Sequence, residues 1–206
     1  MLLVVTAILS AEEVHKSYGR KHVLRGVSFE AGAGQLVAIL GENGSGKSTL
    51  LRILAGGDES DRGKVERGGK IGYCPQEQVL YPYLTIDEHV ELFACAYGLS
   101  ADVAKKRGDA LAERFDFAQH RREIVEELSG GTRQKLNLAL ALLHDPAIVL
   151  LDEPYAGFDV ESYRAFLSWA DEAKKEGRCI VLITHLLFDE ERFDAIFRLR
   201  DGKIDA

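Results

Sequence analysis

The chain has 206 residues, of which 46% are hydrophobic and 29% charged, and it carries a formal net charge of −7. This is the composition of a globular protein, and the length suits one large domain or a core with an inserted subdomain. The acidic balance gives no global attraction for nucleic acid, so no DNA or RNA partner is expected. Cys74, Cys95 and Cys179 are scattered without a C-x-x-C pair, which disfavours zinc and a disulfide framework.

The N-terminal half alternates apolar strands with glycine-rich turns. Segment 1–9 is apolar, too short to cross a bilayer, and is either an extra strand or sequence upstream of the natural start. From about residue 10 to 30 the pattern predicts a short antiparallel hairpin or meander with a polar turn at 18–21. A buried strand at 36–40 and a helix at 50–55 follow. A short strand is predicted within the glycine-rich segment 56–69, and another strand at 70–74.

Residues 78–146 have helical periodicity and few β-branched runs. Thr85 and Glu88 have the spacing of a capping box at the start of the first helix. A second helix is predicted near 101–115, and a third begins at Ser129 and ends before the Asp145–Pro146 pair. The apolar stripe of the third helix consists of Leu136, Ala139, Leu140 and Leu143.

Strands and helices alternate again beyond residue 146. We predict a central buried strand at 147–151, a helix at 160–176 followed by Gly177 as its C′ residue, and a buried strand at 179–184. Residues 195–202 read as a final hairpin. The whole pattern predicts an α/β core, formed by 1–77 and 147–206, that is split by a helical insertion at 78–146.

One segment matches the phosphate-binding pattern G-x-x-x-x-G-K-S, and it lies between the predicted strand at 36–40 and the helix after it. Its glycines let successive backbone N–H groups surround a phosphate, whereas the alternative is a glycine-rich turn with a chance lysine. Lys47 can reach the β- and γ-phosphates of ATP, and the Ser48 hydroxyl can ligate Mg²⁺. The segment consists of Gly41, Glu42, Asn43, Gly44, Ser45, Gly46, Lys47, Ser48 and Thr49.

Two carboxylates follow the predicted central strand. Asp152 and Glu153 would face the ligand crevice at the carboxyl end of a parallel sheet. Asp152 is placed to hold Mg²⁺, directly or through water, and Glu153 to polarise a water for attack on the γ-phosphate. The alternative is that both are solvated acids at a strand end, and the presence of the phosphate-binding loop disfavours it.

The segment Leu128-Ser129-Gly130-Gly131-Thr132 resembles the L-S-G-G-Q signature of ABC-type ATPases. The resemblance covers residues 10–204 and implies a P-loop NTPase core, a mixed and mainly parallel sheet, with an antiparallel β subdomain and an inserted helical signature subdomain. It implies that Ser129 caps a helix whose N-terminus, with the Gly130 and Gly131 amides, binds the ATP of an opposite subunit. Two ATP molecules would then lie between subunits in a head-to-tail dimer.

Four further residues match residues that have known roles in ABC-type ATPases. Tyr18 matches the aromatic residue that stacks on adenine, and Gln76 matches the glutamine that contacts Mg²⁺ and water. Asp159 matches an acid that crosses the dimer interface, and His185 a histidine that contacts the γ-phosphate. Their alternatives are a surface turn tyrosine, a solvated loop residue, a helix N-cap and a structural histidine.

Three residues depart from the family pattern. Thr132 replaces the usual glutamine but keeps a hydroxyl, so we expect an altered rather than a lost signature. Phe158 replaces a common leucine in the cross-interface loop, and Leu186 follows His185 where many members carry an acid, which puts the local hydrogen bonding in doubt. Every residue that the family needs for hydrolysis is present.

The resemblance implies the ATP-hydrolysing subunit of an ABC transporter, with ATP and Mg²⁺ as ligands. Segment 84–90 resembles the equivalent segment of ABC-2-type exporter ATPases more than that of nutrient importers. Its partners would be a second ABC ATPase subunit, identical or not, and a separately encoded transmembrane permease, through which this subunit would bind to the cytoplasmic face of the cell membrane. The apolar residues of segment 79–84 are expected either to receive that permease or to pack the subdomain. Alternatives are a soluble ABC ATPase of translation or DNA repair, disfavoured by the single phosphate-binding loop, and an unrelated P-loop kinase or GTPase.

Overall fold

The computed structural model of the protein describes residues 7–184 and 190–205. Within these ranges the chain forms nine strands and five α-helices, with three 3₁₀ turns at Ala118–His120, Val125–Glu127 and Glu190–Arg192. The strands are β1 (Ala7–Tyr18), β2 (Lys21–Gly32), β3 (Leu36–Leu40), β4 (Arg62–Arg67), β5 (Ile71–Cys74), β6 (Ile148–Asp152), β7 (Cys179–Thr184), β8 (Ala195–Arg200) and β9 (Lys203–Asp205). The helices are α1 (Lys47–Ala55), α2 (Ile86–Ala96), α3 (Ala101–Arg114), α4 (Gly130–Leu142) and α5 (Val160–Lys175).

The main sheet has six strands in the order β5-β6-β7-β3-β8-β9, parallel except for the terminal hairpin. Its central strands are buried on both faces, which explains their continuous apolar sequence. Alternate residues pack into two cores, one with α1 and the small sheet and the other with α2 to α5. The carboxyl ends of β3, β5, β6 and β7 therefore meet at one edge, as the mainly parallel prediction requires.

The small sheet is larger than the predicted short hairpin. It has three antiparallel strands in the order β2-β1-β4, and β1 and β2 are twelve residues each. The pairing register of β1 shifts between Ala11 and Val14, and Glu13 within that shift has a φ of 46°. This irregularity breaks the period-two pattern on which strand prediction depends, so the sequence indicates only a short hairpin from about residue 10. Of the two interpretations of segment 1–9, the structure shows residues 7–9 as part of a strand.

The helices of 78–146 begin where their caps predict. Thr85 Oγ1 accepts a hydrogen bond from the Glu88 N–H (3.2 Å) and Glu88 Oε2 accepts one from the Thr85 N–H (2.7 Å), a complete capping box. Ser129 caps α4, which is buried continuously from Gln134 to Leu142 rather than along one stripe. The exact limits of an inserted subdomain stay a prediction.

The central strand, the last helix and the strand after it agree with the sequence to within one residue, whereas the final hairpin extends to residue 205, three residues beyond the predicted limit. Strand β6 is displaced by one residue from the predicted 147–151, so that Asp152 is its last member. Gly177 has a φ of 89° directly after the Glu176 cap of α5, as predicted for C′. Among the described residues no helix is long and apolar enough to cross a membrane.

Candidate nucleotide-binding site

The segment from Gly41 to Thr49 forms a tight loop between β3 and α1. Gly46 has a φ of 106°, and a Cβ atom added there would lie 2.9 Å from Leu24 Cδ2 and 3.0 Å from the Val23 carbonyl oxygen. Only glycine accepts both the left-handed backbone and this close approach. Helix α1 begins directly after it, with no side-chain cap and no acid in its first turn. The loop therefore offers uncapped helix N–H groups to an anion.

Lys47 lies across the loop rather than in solvent. Its Nζ atom donates hydrogen bonds to the carbonyl oxygens of Gly41 (2.7 Å) and Glu42 (2.9 Å). Burial lowers the pKa of Lys47, and the charges of Glu153 and Asp152 oppose that shift. A poorly hydrated ammonium group of this kind interacts strongly with an incoming phosphate because little water has to be displaced.

A cavity of about 500 Å³ lies between the loop and the ends of the strands. The structure brings together here most of the predicted catalytic, metal and nucleotide-binding residues of the chain. Gly41, Glu42 and Ser45 belong to the loop but do not line this cavity. The residues that do are Tyr18, Lys21, Val23, Asn43, Gly44, Gly46, Lys47, Ser48, Thr49, Gln76, Asp152 and Glu153.

Asp152 and Ser48 form the polar floor of the cavity. Burial raises the pKa of the Asp152 carboxyl group. A hydrogen bond with the Ser48 side chain lowers this pKa but does not outweigh the effect of burial. The Asp152 side chain is 2% exposed, and its Oδ2 atom has no hydrogen-bond partner among the described residues. A buried carboxylate oxygen without a partner is costly. This orphaned atom beside a hydroxyl group fits a Mg²⁺ site, since Mg²⁺ prefers oxygen ligands.

Glu153 adopts a strained backbone conformation with a φ of 49°. Non-glycine residues rarely occupy this region, and such strain is concentrated at functional sites. The Gln76 side-chain amide donates to Glu153 Oε2 at 3.3 Å, which connects the two predicted catalytic side chains directly. No sequence signal marks the strain, because it follows from the turn that ends β6.

Tyr18 lines the other end of the cavity and is 46% exposed. Its hydroxyl group donates to Asp58 Oδ2 (2.7 Å) and accepts from the Arg52 guanidinium (3.1 Å). The hydrogen bond from Tyr18, together with the charge of Arg52, lowers the pKa of Asp58. These two partners orient the ring, and sequence reasoning missed them because both are ordinary charged residues on separate elements.

We expect that Tyr18→Ala will weaken ATP binding by about 1–3 kcal/mol, the usual value of a base stacked on an aromatic ring. Tyr18→Phe keeps the ring and loses only the contacts to Asp58 and Arg52, so its affinity should stay close to that of the parent. Titration with a fluorescent ATP analogue measures both. Equal losses in the two variants would instead assign the effect to the hydroxyl group.

The signature residues lie apart from this cavity. Ser129 Oγ caps α4 by accepting from the Thr132 N–H (3.1 Å) and pairs with the Thr132 hydroxyl (2.9 Å), so the threonine retains a role at the helix start. A Cβ atom at Gly131 would lie 2.8 Å from the Gly157 carbonyl oxygen, whereas one at Gly130 would meet nothing within 4 Å. Ser129, Gly130 and Gly131 do not line the cavity that contains Lys47.

Asp159 also lies outside the lining of this cavity. Asp159 caps α5 by accepting from the Ser162 N–H at 2.7 Å, and this hydrogen bond lowers the pKa of Asp159. The N-cap alternative for Asp159 is therefore correct, and a cross-interface role stays a prediction. His185 and Leu186 lie outside the described residues. Phe158 is partly buried against the helical core.

Comparison with known proteins agrees with this geometry. The family model described as ABC transporter matches residues 24–156. An uncharacterized ABC transporter ATP-binding protein of Methanocaldococcus jannaschii is 37% identical over 196 residues, which cover 95% of this chain and 75% of that protein. The Nod factor export ATP-binding protein I of Ralstonia nicotianae is 34% identical over 199 residues, covering 91% of this chain and 62% of that protein.

A solved structure gives the same result. The dimeric structure of a bacterial ABC transporter cassette superposes with a TM-score of 0.88 at 27% identity, and the match covers 96% of this chain and 97% of that chain. The sequence relatives and the fold thus agree over nearly the full length of the chain. The chain belongs to the ABC transporter family, among its ATP-binding cassettes.

Proposed function

We propose that this protein is the ATP-hydrolysing subunit of an ABC transporter and acts as a head-to-tail dimer. One observation carries the proposal. The cavity collects Lys47, Ser48, Gln76, Asp152 and Glu153, while the signature residues of the same chain lie outside it. A single chain therefore presents two half-sites, and a second subunit related by a two-fold axis would complete both.

The cavity residues divide the chemistry among them. Lys47 and the loop N–H groups bind the β- and γ-phosphates of ATP. The Glu153 carboxylate orients the attacking water and accepts its proton, and the Gln76 amide holds that carboxylate in place. Ser48, Asp152 and Gln76 are the residues that would hold Mg²⁺, which when bound neutralises charge on the phosphate oxygens.

The second half-site is the exposed N-terminus of α4. Ser129 and Gly130 are exposed, and the space beside Gly130 is open. The first N–H groups of a helix with its positive dipole end suit the γ-phosphate of an ATP bound by the other subunit. ATP then closes the dimer, because it contacts both subunits only in the closed state, and hydrolysis reopens it.

We assign the transport step to separately encoded membrane subunits, through which this protein binds to the cytoplasmic face of the cell membrane. The apolar segment after Gln76 supports this, since Val79, Tyr81 and Tyr83 are 67%, 54% and 75% exposed, whereas Leu80 packs against the helical core. Exposed apolar side chains grouped in this way mark a partner surface. Export is the proposed direction, supported by segment 84–90 and by the similarity to a Nod factor export protein.

A subunit-mixing experiment tests the head-to-tail arrangement. We expect Lys47→Ala and Gly130→Glu to be inactive separately, the first through lost phosphate binding and the second through a negative charge beside the partner's ATP. Mixed dimers contain one site with both defects and one with neither, so mixing should restore up to about half of the parental turnover per mixed dimer, by site counting. Phosphate release measures this.

Two controls accompany the mixture. Gly130→Ala adds a methyl group where the structure has open space, so it should fold and retain turnover. Gly130→Glu places an acid in the first turn of a helix, which the helix dipole favours, so its thermal stability should not fall. No recovery of turnover on mixing two folded variants would contradict the shared-site arrangement.

A further inference from the structure

We infer that Gln134 and Asn137 are positioning residues that hold Gln76 and Glu153 in a fixed relation to helix α4. We call Gln76 and Glu153 the hydrolytic pair. Through Gln134 and Asn137, the position of the α4 N-terminus, which faces the ATP of the second subunit, determines the positions of the hydrolytic pair in the same chain. The intersubunit part of this inference rests on the proposed head-to-tail dimer. The part within one chain rests on four hydrogen bonds that the structure contains.

Gln134 joins the two loops that carry the hydrolytic pair. Its side-chain Nε2 donates to the carbonyl oxygen of Pro154 (3.2 Å), the residue that follows Glu153. Its Oε1 accepts from the Gln78 side chain (2.8 Å), two residues beyond Gln76. Gln134 is only 2% exposed, and its hydrogen bond to Pro154 is buried, so this bond does not compete with bulk water. One buried amide thus connects the loop after β5 with the loop after β6.

Asn137 fixes the other side of the loop after β5. Its Nδ2 donates to the carbonyl oxygen of Pro75 (2.9 Å), immediately before Gln76, and lies 3.3 Å from the Cys74 sulfur atom. Gln76 is therefore held from both directions, by Asn137 through Pro75 and by Gln134 through Gln78. Gln76 itself contacts Glu153 at 3.3 Å. The pair is enclosed by contacts that come from a single helix.

Helix α4 is suited to transmit a displacement. It is buried continuously from Gln134 to Leu142, so it is expected to move as a rigid element. Gln134 lies five residues beyond Ser129, about 7.5 Å along the helix axis at 1.5 Å per residue. Near its start, Gly131 lies close to the Gly157 carbonyl oxygen, in the loop that leads away from Glu153. A shift of Ser129 on contact with a partner's ATP therefore has to move the supports of Gln76 and Glu153.

A role limited to packing makes a different prediction. If the two amides only stabilise the core, their loss lowers stability, and any loss of turnover follows from unfolding. If they position the pair, turnover falls in protein that remains folded and still binds ATP. Displacements of about 1 Å at a catalytic group can cost roughly 100-fold in rate, so the positioning effect is measurable.

The test uses substitutions that keep side-chain volume but remove the hydrogen bonds, Gln134→Met and Asn137→Leu. We expect kcat to fall about 10- to 100-fold while KM and the affinity for ATP stay at parental values. Light scattering should still detect ATP-driven dimerisation when either change is combined with Glu153→Gln. Gln78→Ala, at an exposed position, removes one of the bonds without any core change and should lower kcat to a smaller extent.

Leu138→Ala is the matched control, since Leu138 is fully buried on the same helix and has no polar side-chain atom. It should lower thermal stability as much as the amide variants or more, with little loss of kcat at a temperature where all are folded. The losses in Gln134→Met and Gln76→Ala should also be non-additive when combined. Loss of kcat only in proportion to stability, or additive losses, would overturn the inference.

The outcomes separate this inference from the proposed function. If subunit mixing fails, the head-to-tail dimer is wrong, and the intersubunit part of the inference falls with it. If subunit mixing succeeds but the amide variants hydrolyse ATP at the parental rate, the dimer stands and the positioning role is wrong. Selective loss of kcat together with successful mixing supports both.

Discussion

Replacing Glu153 with glutamine is expected to lower ATP turnover by about 10²- to 10⁴-fold and to leave ATP binding intact. The amide keeps the size of the side chain and can still contact Gln76, but it cannot accept a proton from the attacking water. Because bound ATP is then not consumed, the closed dimer should accumulate. Light-scattering mass of the purified variant with and without Mg-ATP measures this, and a shift from monomer to dimer is the expected result.

The control for this experiment is the same measurement with ADP, which lacks the γ-phosphate that both half-sites are proposed to share. The dimer should not form with ADP. Parental turnover in the variant would exclude Glu153 as the residue that orients the water. A mass that is independent of ATP would contradict ATP-driven closure.

Asp152→Asn is expected to abolish Mg²⁺-dependent turnover and yet to stabilise the free protein. Asp152 is 2% exposed, one of its carboxylate oxygens has no hydrogen-bond partner among the described residues, and the Glu153 charge lies nearby. A neutral amide of the same shape removes part of the desolvation cost and the repulsion, at the expense of metal binding. We expect a gain of about 1 kcal/mol, which raises the Tm by about 2–4 °C for a domain of this size.

The pH dependence of stability identifies the cause of that gain. Burial raises the pKa of Asp152 in the folded state above the value of an unfolded aspartate. A raised pKa means that the folded state binds the proton more tightly. The favourable contribution of Asp152 to the free energy of unfolding is therefore complete below the pKa that Asp152 has in the unfolded state. It is lost as the pH rises through the pKa that Asp152 has in the folded state. The stability difference between Asp152→Asn and the parent should thus be largest at neutral pH and shrink on acidification.

Denaturant titrations without nucleotide, at neutral pH and at successively lower pH, measure this difference. Glu153→Gln, changed at the neighbouring and more exposed carboxylate, is the matched control and should show a smaller difference. An Asp152→Asn protein that is no more stable than the parent at neutral pH, or that keeps Mg²⁺-dependent turnover, would contradict the assignment. Such a combination of gained stability and lost function is typical of groups kept for chemistry.

Local sequence patterns were sufficient for the elements whose signals lie close together in the chain. The capping box at Thr85 and Glu88, the Ser129 cap and the C′ glycine at Gly177 all reflect contacts within about one helical turn. The phosphate-binding loop could be predicted for the same reason, because its glycines, Lys47 and Ser48 act within one turn between a strand and a helix. The hairpin that contains β1 was predicted, but the full length of β1 was not, because its irregular register interrupts the alternation.

The amino-acid sequence by itself determined the family, the loop and the list of candidate residues, since each depends on side-chain chemistry at short spacing. Only the tertiary structure decided how these residues meet. Gln134 connects two loops that are far apart in sequence. The Asp152 oxygen that has no partner among the described residues and the strained backbone of Glu153 depend on how the end of β6 is buried. No local pattern encodes such contacts, because burial and distance are set by the packing of helix α4 against the parallel sheet.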